Sequence, residues 1–372
     1  MTTHIPLVDL SIQFDAIWSK VSADIEKISS IGGFIGGPHV SQFEDDYAAF
    51  NNARHCVGVA NGGDALELLL RAVGVKPGMN VIVPANSFVA TASAVERIGA
   101  IPKFVDVRRD DHLIDADGIK QVADRKTKAI IPVHLFGQLA NLKLIHEIST
   151  ELGISVIEDG AQSQGATQTS QIFGSSSSGV ATSFYPGKNL GAFGDAGAVL
   201  TDSDEIAEQI RQLRNYGGIK KFEHFVPGYN SRLDAIQAIV LREKLLHLPK
   251  WNMERGRAAD TYIKLLGEYP QIELPKAAHG NTHVWHLFVI QIDNRDRIYE
   301  KMNAAGIGVG IHYPTPIHLL PAFKFLGHNV GSFPVAEAMS RRILSLPIFP
   351  GISETQISRV CDTLVKIISS ES

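Results

Sequence analysis

The sequence predicts an α/β protein built on a mostly parallel seven-stranded sheet with helices on both faces, followed by a smaller C-terminal α+β domain. The first observation behind this is that short apolar runs typical of strands alternate with helical stretches as far as residue 201. The second is that the pattern changes from about residue 251, where longer helices dominate. The strand-like runs span residues 56–60, 81–83, 103–107, 129–133, 155–158, 181–184 and 198–201.

The remaining elements divide the chain into three parts. We predict an N-terminal segment over residues 1–30, which joins the small domain or wraps a dimer, a large domain over 31–250 and a small domain over 251–372. A helix from Ser231 to His247 leads out of the large domain, since apolar residues recur on one of its faces. The small domain is predicted to contain a long helix from about 251, a strand over 286–292, a helix over 295–304, a strand over 308–312 and a last helix over 354–368.

Composition narrows the class of protein. With 44% apolar and 20% charged residues the chain is typical of a soluble globular protein, and its net charge of −4 gives no electrostatic case for nucleic acid. Apolar runs end well before the roughly 18 residues of a membrane span, and no signal peptide precedes Pro6, so we expect a cytoplasmic protein. Two cysteines cannot form a disulfide framework, and the 14 histidines lack metal-ligand spacing with them, so no metal is predicted.

Lys188 is the most informative candidate for chemistry. It lies on a tight turn between two strand-like runs, and no carboxylate occurs within the six residues on either side of it. An amine without a local ion-pair partner is available to form an imine with a carbonyl group. The competing interpretation, a solvated lysine in a glycine-rich turn, is the commoner one for such a residue taken alone.

A Schiff-base lysine suggests pyridoxal 5'-phosphate (PLP), which also needs a phosphate cradle, a carboxylate at its ring nitrogen and a cover for its ring. Gly63 and Asp64 precede a helix-like run that starts at Ala65, and at a helix start backbone N–H groups and the dipole favour a phosphate. Asp159 ends a buried strand, at the sheet edge where open α/β sheets bind ligands. Phe88 can stack on the ring and Gln162 can bond its phenolic oxygen, although helix capping by Asp159 and core packing of Phe88 are the plain alternatives.

Together these segments resemble a known family. The chain is similar over nearly its whole length to the fold type I PLP enzymes, and within them to the sugar-nucleotide aminotransferases of the DegT/StrS group, closest to the 3-ketosugar aminotransferases. The matching segments are Gly36 to Glu44, Asn61 to Leu66, Pro84 to Thr91, Pro132 to Gln138, Glu158 to Gln162, Ser183 to Lys188 and Tyr229 to Asp234.

The resemblance implies a role for each central residue. Lys188 carries PLP as a Schiff base, Asp159 pairs with the ring nitrogen, Gln162 contacts the ring oxygen and Phe88 stacks on the ring. In related sugar dehydratases a histidine replaces the lysine, so Lys188 favours amino transfer over dehydration.

The phosphate contacts follow from the same resemblance. The backbone of Gly63 and Asp64 and the hydroxyl of Ser183 hold the phosphate, and Asn230 reaches it from the partner subunit of a homodimer with shared active sites. Position 63 is glycine where the family usually has Thr or Ser, so a hydroxyl contact is lost there. Position 160 is glycine in place of the usual alanine, which removes no chemical group.

The resemblance further implies the reaction, transamination of a nucleotide-linked keto-deoxysugar, dTDP-3-keto-6-deoxyhexose, with L-glutamate as amino donor. A 4-keto sugar, a UDP-linked sugar or a cyclitol ketone stays open as the acceptor. From another class, a PLP-binding regulator without turnover also stays open, although we see no basic helix-turn-helix stretch that would bind DNA.

Substrate contacts are expected from several segments. His312, Tyr313 and His318 lie in a stretch that resembles the one reaching the neighbouring active site in 3-ketosugar members, although packing is the commoner role for such histidines. For the other candidate substrate contacts, a structural role as a solvated or core residue is an equally good interpretation. They are Lys220 and Lys221 for a diphosphate, Tyr185 for the sugar, and Arg232 for the substrate or for pairing with Asp234.

Overall fold

The computed structural model describes residues 4–168, 177–220 and 222–370, and helices and short strands alternate along them. The helices are α1 Ser11–Ile31, α2 Pro38–Phe50, α3 Gly62–Ala72, α4 Val89–Arg97, α5 Ala116–Val122, α6 Leu142–Leu152, α7 Asp204–Leu213, α8 Ala235–Leu266, α9 Arg295–Ala304, α10 Pro334–Ser340 and α11 Glu354–Ser369. The strands are β1 His55–Val59, β2 Asn80–Pro84, β3 Ile101–Val105, β4 Thr127–Ile130, β5 Ser155–Asp159, β6 Thr167–Gln168, β7 Gly179–Ser183, β8 Gly197–Thr201, β9 Gly218–Lys220, β10 Glu223–His224, β11 Asn281–Thr282, β12 Phe288–Gln291 and β13 Ile343–Leu346.

Seven strands form the central sheet, in the order β1-β8-β7-β5-β4-β2-β3. Only β8 runs antiparallel to its neighbours, pairing Val199 with Val57 of β1 and with Ala181 of β7. The other adjacent pairs are parallel. The predicted fold class, a mostly parallel seven-stranded sheet with flanking helices, is therefore confirmed.

The two faces of the sheet pack into different hydrophobic clusters, because successive side chains of a strand point to opposite sides. Val199 of β8 lies with apolar residues of α3 to α7, while its neighbours Ala198 and Leu200 lie with those of α1, α2 and α8. The central strands are therefore buried on both faces, which explains why their sequences read as continuous apolar runs.

Most predicted strand boundaries differ from the structure by one or two residues, and the end of the fourth strand differs most. The fourth strand ends at Ile130, whereas the sequence pattern extends it to residue 133. Ile131 still donates its N–H to the carbonyl of Ile82 at 2.8 Å, but Pro132 has no N–H to continue the ladder.

Helix α8 also differs from the prediction of two helices that meet near residue 250. It is one 32-residue helix with Pro249 inside it. Leu248 and Trp251 on either side of the proline are buried in the cluster of α1 and α2, while Tyr262 further on belongs to a third cluster. Packing along both halves holds the helix together despite the lost hydrogen bond. A domain boundary at 250/251 stays a prediction.

The third hydrophobic cluster belongs to the C-terminal part of the chain, where β12 and β13 pair antiparallel and pack with α9, α11 and the end of α8. Ile5 joins this cluster through a bridge to Ile307. The strand predicted over 308–312 does not form, because Gly308 donates to Ile5 while Gly310 pairs with Ser345, so no ladder to one neighbour develops. No helix in the described ranges is long and apolar enough to cross a bilayer.

Candidate active site

The lysine turn connects β7 to β8. Lys188 donates its backbone N–H to the carbonyl of Tyr185 at 2.8 Å, and a side chain at Gly191 would meet the carbonyl oxygen of Pro186, so the turn requires glycine there. The Lys188 side chain is partly buried. Burial lowers its pKa to about 8, while the Asp159 carboxylate opposes that shift. The neutral, nucleophilic fraction of the amine near neutral pH is therefore larger than for an ordinary lysine.

Asp159 ends β5, the parallel neighbour of β7, and its side chain is buried. The Thr91 hydroxyl donates to Oδ2 at 2.7 Å, and the Ala161 N–H donates to Oδ1 at 3.2 Å. Burial raises the pKa of Asp159, and the Thr91 hydrogen bond is the largest opposing effect, with the charge of Lys188 also lowering the pKa. The two residues predicted to be central, Lys188 and Asp159, are thus brought together.

Gln162, Phe88 and Tyr313 form the adjoining wall. Gln162 accepts the Phe136 N–H at 2.7 Å and donates through Nε2 to the Tyr313 hydroxyl at 3.2 Å. Phe88 is 52% exposed, and its ring centroid lies 5.4 Å from that of Tyr313. Tyr313 therefore lies in the site of its own chain, whereas the resemblance assigns its segment to the neighbouring site.

The start of α3 faces Ser183. A Cβ at Gly62 would lie 2.6 Å from the Cβ of Ser183, so glycine is needed for this approach. The Asn61 side chain caps the helix and accepts the N–H of Asp64 at 2.8 Å, so the predicted phosphate donor at Asp64 already has a partner. The N–H groups of Gly62 and Gly63 precede it in the first turn, where an α-helix offers them no partner of its own.

His312 lies beside the lysine. Its Nδ1 is 2.8 Å from the Ser345 hydroxyl, and burial lowers its pKa to about 4, with the positive charge of Lys188 adding to that effect. The imidazole is therefore neutral across the physiological range. Tyr185, on the turn itself, is 59% exposed.

His318 does not belong to the site. Its side chain is 1% exposed, packs against Phe333 with ring centroids 4.7 Å apart, and has Nε2 3.0 Å from the Glu337 carboxylate. The prediction that His318 contacts substrate is not supported, because the fold uses this imidazole inside the C-terminal packing. Nothing in the local sequence distinguishes it from His312.

Four further candidates lie on or near the loop that carries β9 and β10. Lys220 and Asn230 are exposed, while Lys221 lies outside the described residues. Arg232 donates to Asn215 at 3.3 Å and lies over the ring of Tyr216, 5.8 Å from its centroid. Among the described residues, Lys220, Asn230 and Arg232 form no hydrogen bond or ion pair with Lys188 of the same chain.

Sequence reasoning missed the groups that support the lysine turn. Asn189 donates to Asn252 at 2.8 Å and to the Val284 carbonyl at 2.9 Å, and its oxygen lies 3.1 Å from Nδ1 of His286. His286 is buried, which keeps its pKa well below the ordinary value, and Lys188 lowers it further. Asn189 follows Lys188 directly, but no sequence signal connects it to a histidine 97 positions away.

These residues fit PLP. They supply an amine with a lowered pKa at Lys188, a buried carboxylate at Asp159, an exposed aromatic face at Phe88 and a glycine-bordered helix start opposite Ser183. No group of His, Cys, Asp and Glu side chains in the described ranges could hold a metal ion.

Comparison with known proteins agrees with this geometry. The DegT/DnrJ/EryC1/StrS aminotransferase family matches residues 16–365. The chain belongs to this family. DegT/StrS aminotransferases are PLP-dependent, so this chain is a PLP-dependent aminotransferase of fold type I.

Two relatives of the DegT/StrS group are similar to almost the entire chain. The erythromycin biosynthesis sensory transduction protein EryC1 of Saccharopolyspora erythraea is 43% identical, over 97% of this chain and 98% of its own. The dTDP-3-amino-3,4,6-trideoxy-alpha-D-glucose transaminase of Streptomyces venezuelae is 40% identical, over 98% and 96%. Among solved structures, S. venezuelae DesV in complex with a ketimine intermediate has a TM-score of 0.96 at 40% identity, covering 98% of this chain and 99% of DesV.

Proposed function

We propose that this aminotransferase converts a nucleotide-linked 3-keto-6-deoxysugar, dTDP-3-keto-6-deoxyhexose, to the amino sugar nucleotide, with L-glutamate as the amino donor. The observation that carries the reaction class is the pairing of Lys188 with Asp159 at the carboxyl edge of the sheet. The substrate class is supported by the S. venezuelae relative, which is named for a dTDP-linked 3-amino sugar.

Lys188 acts as both attachment point and proton carrier in this proposal. Bound PLP supplies an electron sink that makes the carbon–hydrogen bond next to nitrogen acidic. The Lys188 amine, with its pKa lowered to about 8, would accept that proton as a general base and return it to the carbon on the other side of the nitrogen. Asp159, whose carboxylate accepts hydrogen bonds from Thr91 and Ala161, would balance the positive charge of the protonated ring nitrogen.

The phosphate of the cofactor is proposed to lie between the start of α3 and Ser183. The N–H groups of Gly62 and Gly63 would donate to it, together with the Ser183 hydroxyl, and the helix dipole favours the negative charge there. Asp64 contributes less than the sequence suggests, because its N–H is bonded to Asn61. The N–H groups of Gly62 and Gly63, at the start of α3, therefore replace the hydroxyl contact that position 63 usually makes in the family.

We propose a cytoplasmic homodimer in which Asn230 reaches the phosphate of the partner subunit. Asn230 is exposed in the single chain and lies near apolar side chains that a partner would cover. Ile219 and Phe225 of the same loop are 69% and 64% exposed. Dissociation of the dimer would then remove one phosphate contact from each site.

The sugar is proposed to lie against the wall of Phe88, Tyr313 and His312, with Tyr185 at the entrance. Phe88 and Tyr185 are exposed, and His312 is a neutral imidazole. Neutral donors and acceptors suit sugar hydroxyl groups. Lys220 is the proposed contact for the nucleotide diphosphate.

A spectroscopic experiment tests the first half of the reaction. The visible absorbance of the PLP-loaded protein is recorded before and after L-glutamate is added, with K188A as the matched control. Loss of the yellow band and appearance of the pyridoxamine form in wild type alone would support the proposal. A band unchanged by L-glutamate would contradict the donor, and other amino acids would then be tested in the same assay.

The acceptor is tested by supplying 3-keto and 4-keto sugar nucleotides in parallel to the pyridoxamine form. We expect return of the yellow band with the 3-keto compound. Activity confined to the 4-keto compound would contradict the position of amination. Equal activity on a ketone without a nucleotide would favour a cyclitol or free sugar, and a preference for the UDP compound would correct the base.

The name of EryC1, a sensory transduction protein, favours a second candidate function, a PLP-binding regulator. The two functions differ in turnover. A regulator would bind PLP at Lys188 without completing either half-reaction with any acceptor, whereas the proposed enzyme regenerates the yellow band at least once per site.

A further inference from the structure

Two buried hydroxyl groups stand behind Asp159. Thr91 donates to Asp159 Oδ2 at 2.7 Å, and the Ser87 oxygen lies 2.6 Å from the Thr91 oxygen. Thr91 is 1% exposed and Ser87 is 3% exposed, so neither hydroxyl is available to hydrogen-bond bulk water.

The direction of these two hydrogen bonds follows from the chemistry of the Asp159 carboxylate, at which the series ends. An ionised carboxylate only accepts hydrogen bonds, so the single Thr91 proton goes to Asp159. The Thr91 oxygen can then accept the proton of Ser87, because this contact, at 2.6 Å, is shorter than the 3.2 Å from the Ser87 hydroxyl to the Phe88 carbonyl. The two hydroxyls are thus oriented in series toward the carboxylate, and each strengthens the next in a site with little water.

The same short turn also carries the exposed ring. Phe88 is the N-cap of α4, and Thr91 lies in the first turn of that helix. The positive end of the helix dipole lies at this turn and favours the charged carboxylate. A shift of residues 87–91 would therefore move the aromatic face and the donor to Asp159 together.

We propose that Thr91 is a positioning residue for the ring-nitrogen carboxylate, with Ser87 as its support. Thr91 fixes the direction of Asp159 Oδ2 and keeps the carboxylate ionised in a buried place. The turn of residues 87–91 would set the spacing between the Phe88 ring, which is proposed to stack on the cofactor, and the Asp159 carboxylate. This inference rests on the proposed role of Asp159.

The test compares T91V, which removes the hydroxyl at nearly constant volume, with T91S, which keeps it. T201V is the matched control, because Thr201 is also a buried threonine and donates to the Ser178 carbonyl at 2.8 Å, remote from the proposed cofactor contacts. The readouts are the PLP dissociation constant, the pH titration of the visible band, the ¹⁵N resonance of ring-labelled PLP and the separate values of kcat and KM.

We expect T91V to weaken PLP binding and lower kcat by about tenfold to a hundredfold, the range for a hydrogen bond to a charged group, with KM for the sugar unchanged. Its ¹⁵N resonance should move toward the neutral pyridine. T91S should recover most of each loss, S87A should show a smaller shift in the same direction, and T201V should match wild type.

The outcomes separate this inference from the proposed function. D159N is measured beside T91V, and if D159N matches wild type in every readout, the role of Asp159 itself fails. If D159N is impaired while T91V matches T201V within about twofold, the inference about Thr91 is overturned. Should T91V fail to fold, S87A decides, since a wild-type ¹⁵N resonance and PLP affinity in S87A would contradict the hydroxyl chain.

Discussion

The cofactor side and the substrate side of this site are built in different ways. On the cofactor side, Lys188 and Asp159 lie at the ends of neighbouring strands, and short hydrogen bonds hold the carboxylate. On the substrate side, His312 and Tyr313 come from a loop of the C-terminal part, while Lys220 and Asn230 are exposed. The rigid sheet edge suits chemistry that all family members share, whereas the loops are free to vary with the acceptor.

This contrast predicts the largest effect at the sheet edge. K188A should lower turnover at least about 10⁴-fold, because both the attachment point and the general base are lost. The variant should still bind pyridoxamine phosphate. K220A, an exposed lysine on the substrate side, should change KM by no more than about tenfold. Retained turnover in K188A would sink the assignment of the lysine.

The next largest effect is expected inside the C-terminal packing, and on stability only. H318A should lower the free energy of unfolding by about 2–4 kcal/mol, because Glu337 loses a buried partner and a cavity opens beside Phe333. Thermal or urea unfolding measures this, with H279A, at an exposed histidine, as the control. A raised KM for the sugar with unchanged stability would instead return His318 to the substrate site.

The buried amine of Lys188 should also destabilise the apoprotein in a pH-dependent way. Its pKa is about 8 in the folded state, against 10.5 for an ordinary lysine, so the unfolded state binds more protons between these two pH values. Stability from this group is therefore lowest below pH 8 and rises toward pH 10.5.

The substitution K188M removes this destabilising amine. We expect it to be more stable than wild type by about 1–3 kcal/mol at pH 7, with the difference shrinking as the pH rises from 8 to 10. Urea unfolding of both apoproteins across that range provides the measurement, and K220M is the control. A difference independent of pH would mean that the amine is not desolvated.

The smallest effect is expected where the two sides meet. Y313F removes the hydroxyl that accepts from Gln162 Nε2, so kcat/KM should fall about fivefold, the cost of one neutral hydrogen bond. Stability should fall by no more than about 1 kcal/mol. Steady-state kinetics with the keto sugar would reveal this, and a loss beyond about a hundredfold would show that Tyr313 takes part in the chemistry itself.

The sequence predicted the cofactor side better than the substrate side. The turn at Lys188, the strand end at Asp159 and the glycine-rich start of α3 are local features that turn chemistry and apolar periodicity indicate directly. His312 and His318 illustrate the limit, because the two have equivalent local patterns and yet one lies beside Lys188 and the other is buried against Phe333.

What the sequence alone determined is the order of elements, the mostly parallel sheet and the residues able to react, since each depends on neighbours within a few positions. The tertiary structure alone decided that Thr91 meets Asp159, that His286 meets Asn189 and that α8 continues through Pro249. These features join segments distant in sequence. Their energies come from packing and hydrogen bonds that exist only once the sheet and its helices have assembled, and no local pattern contains them.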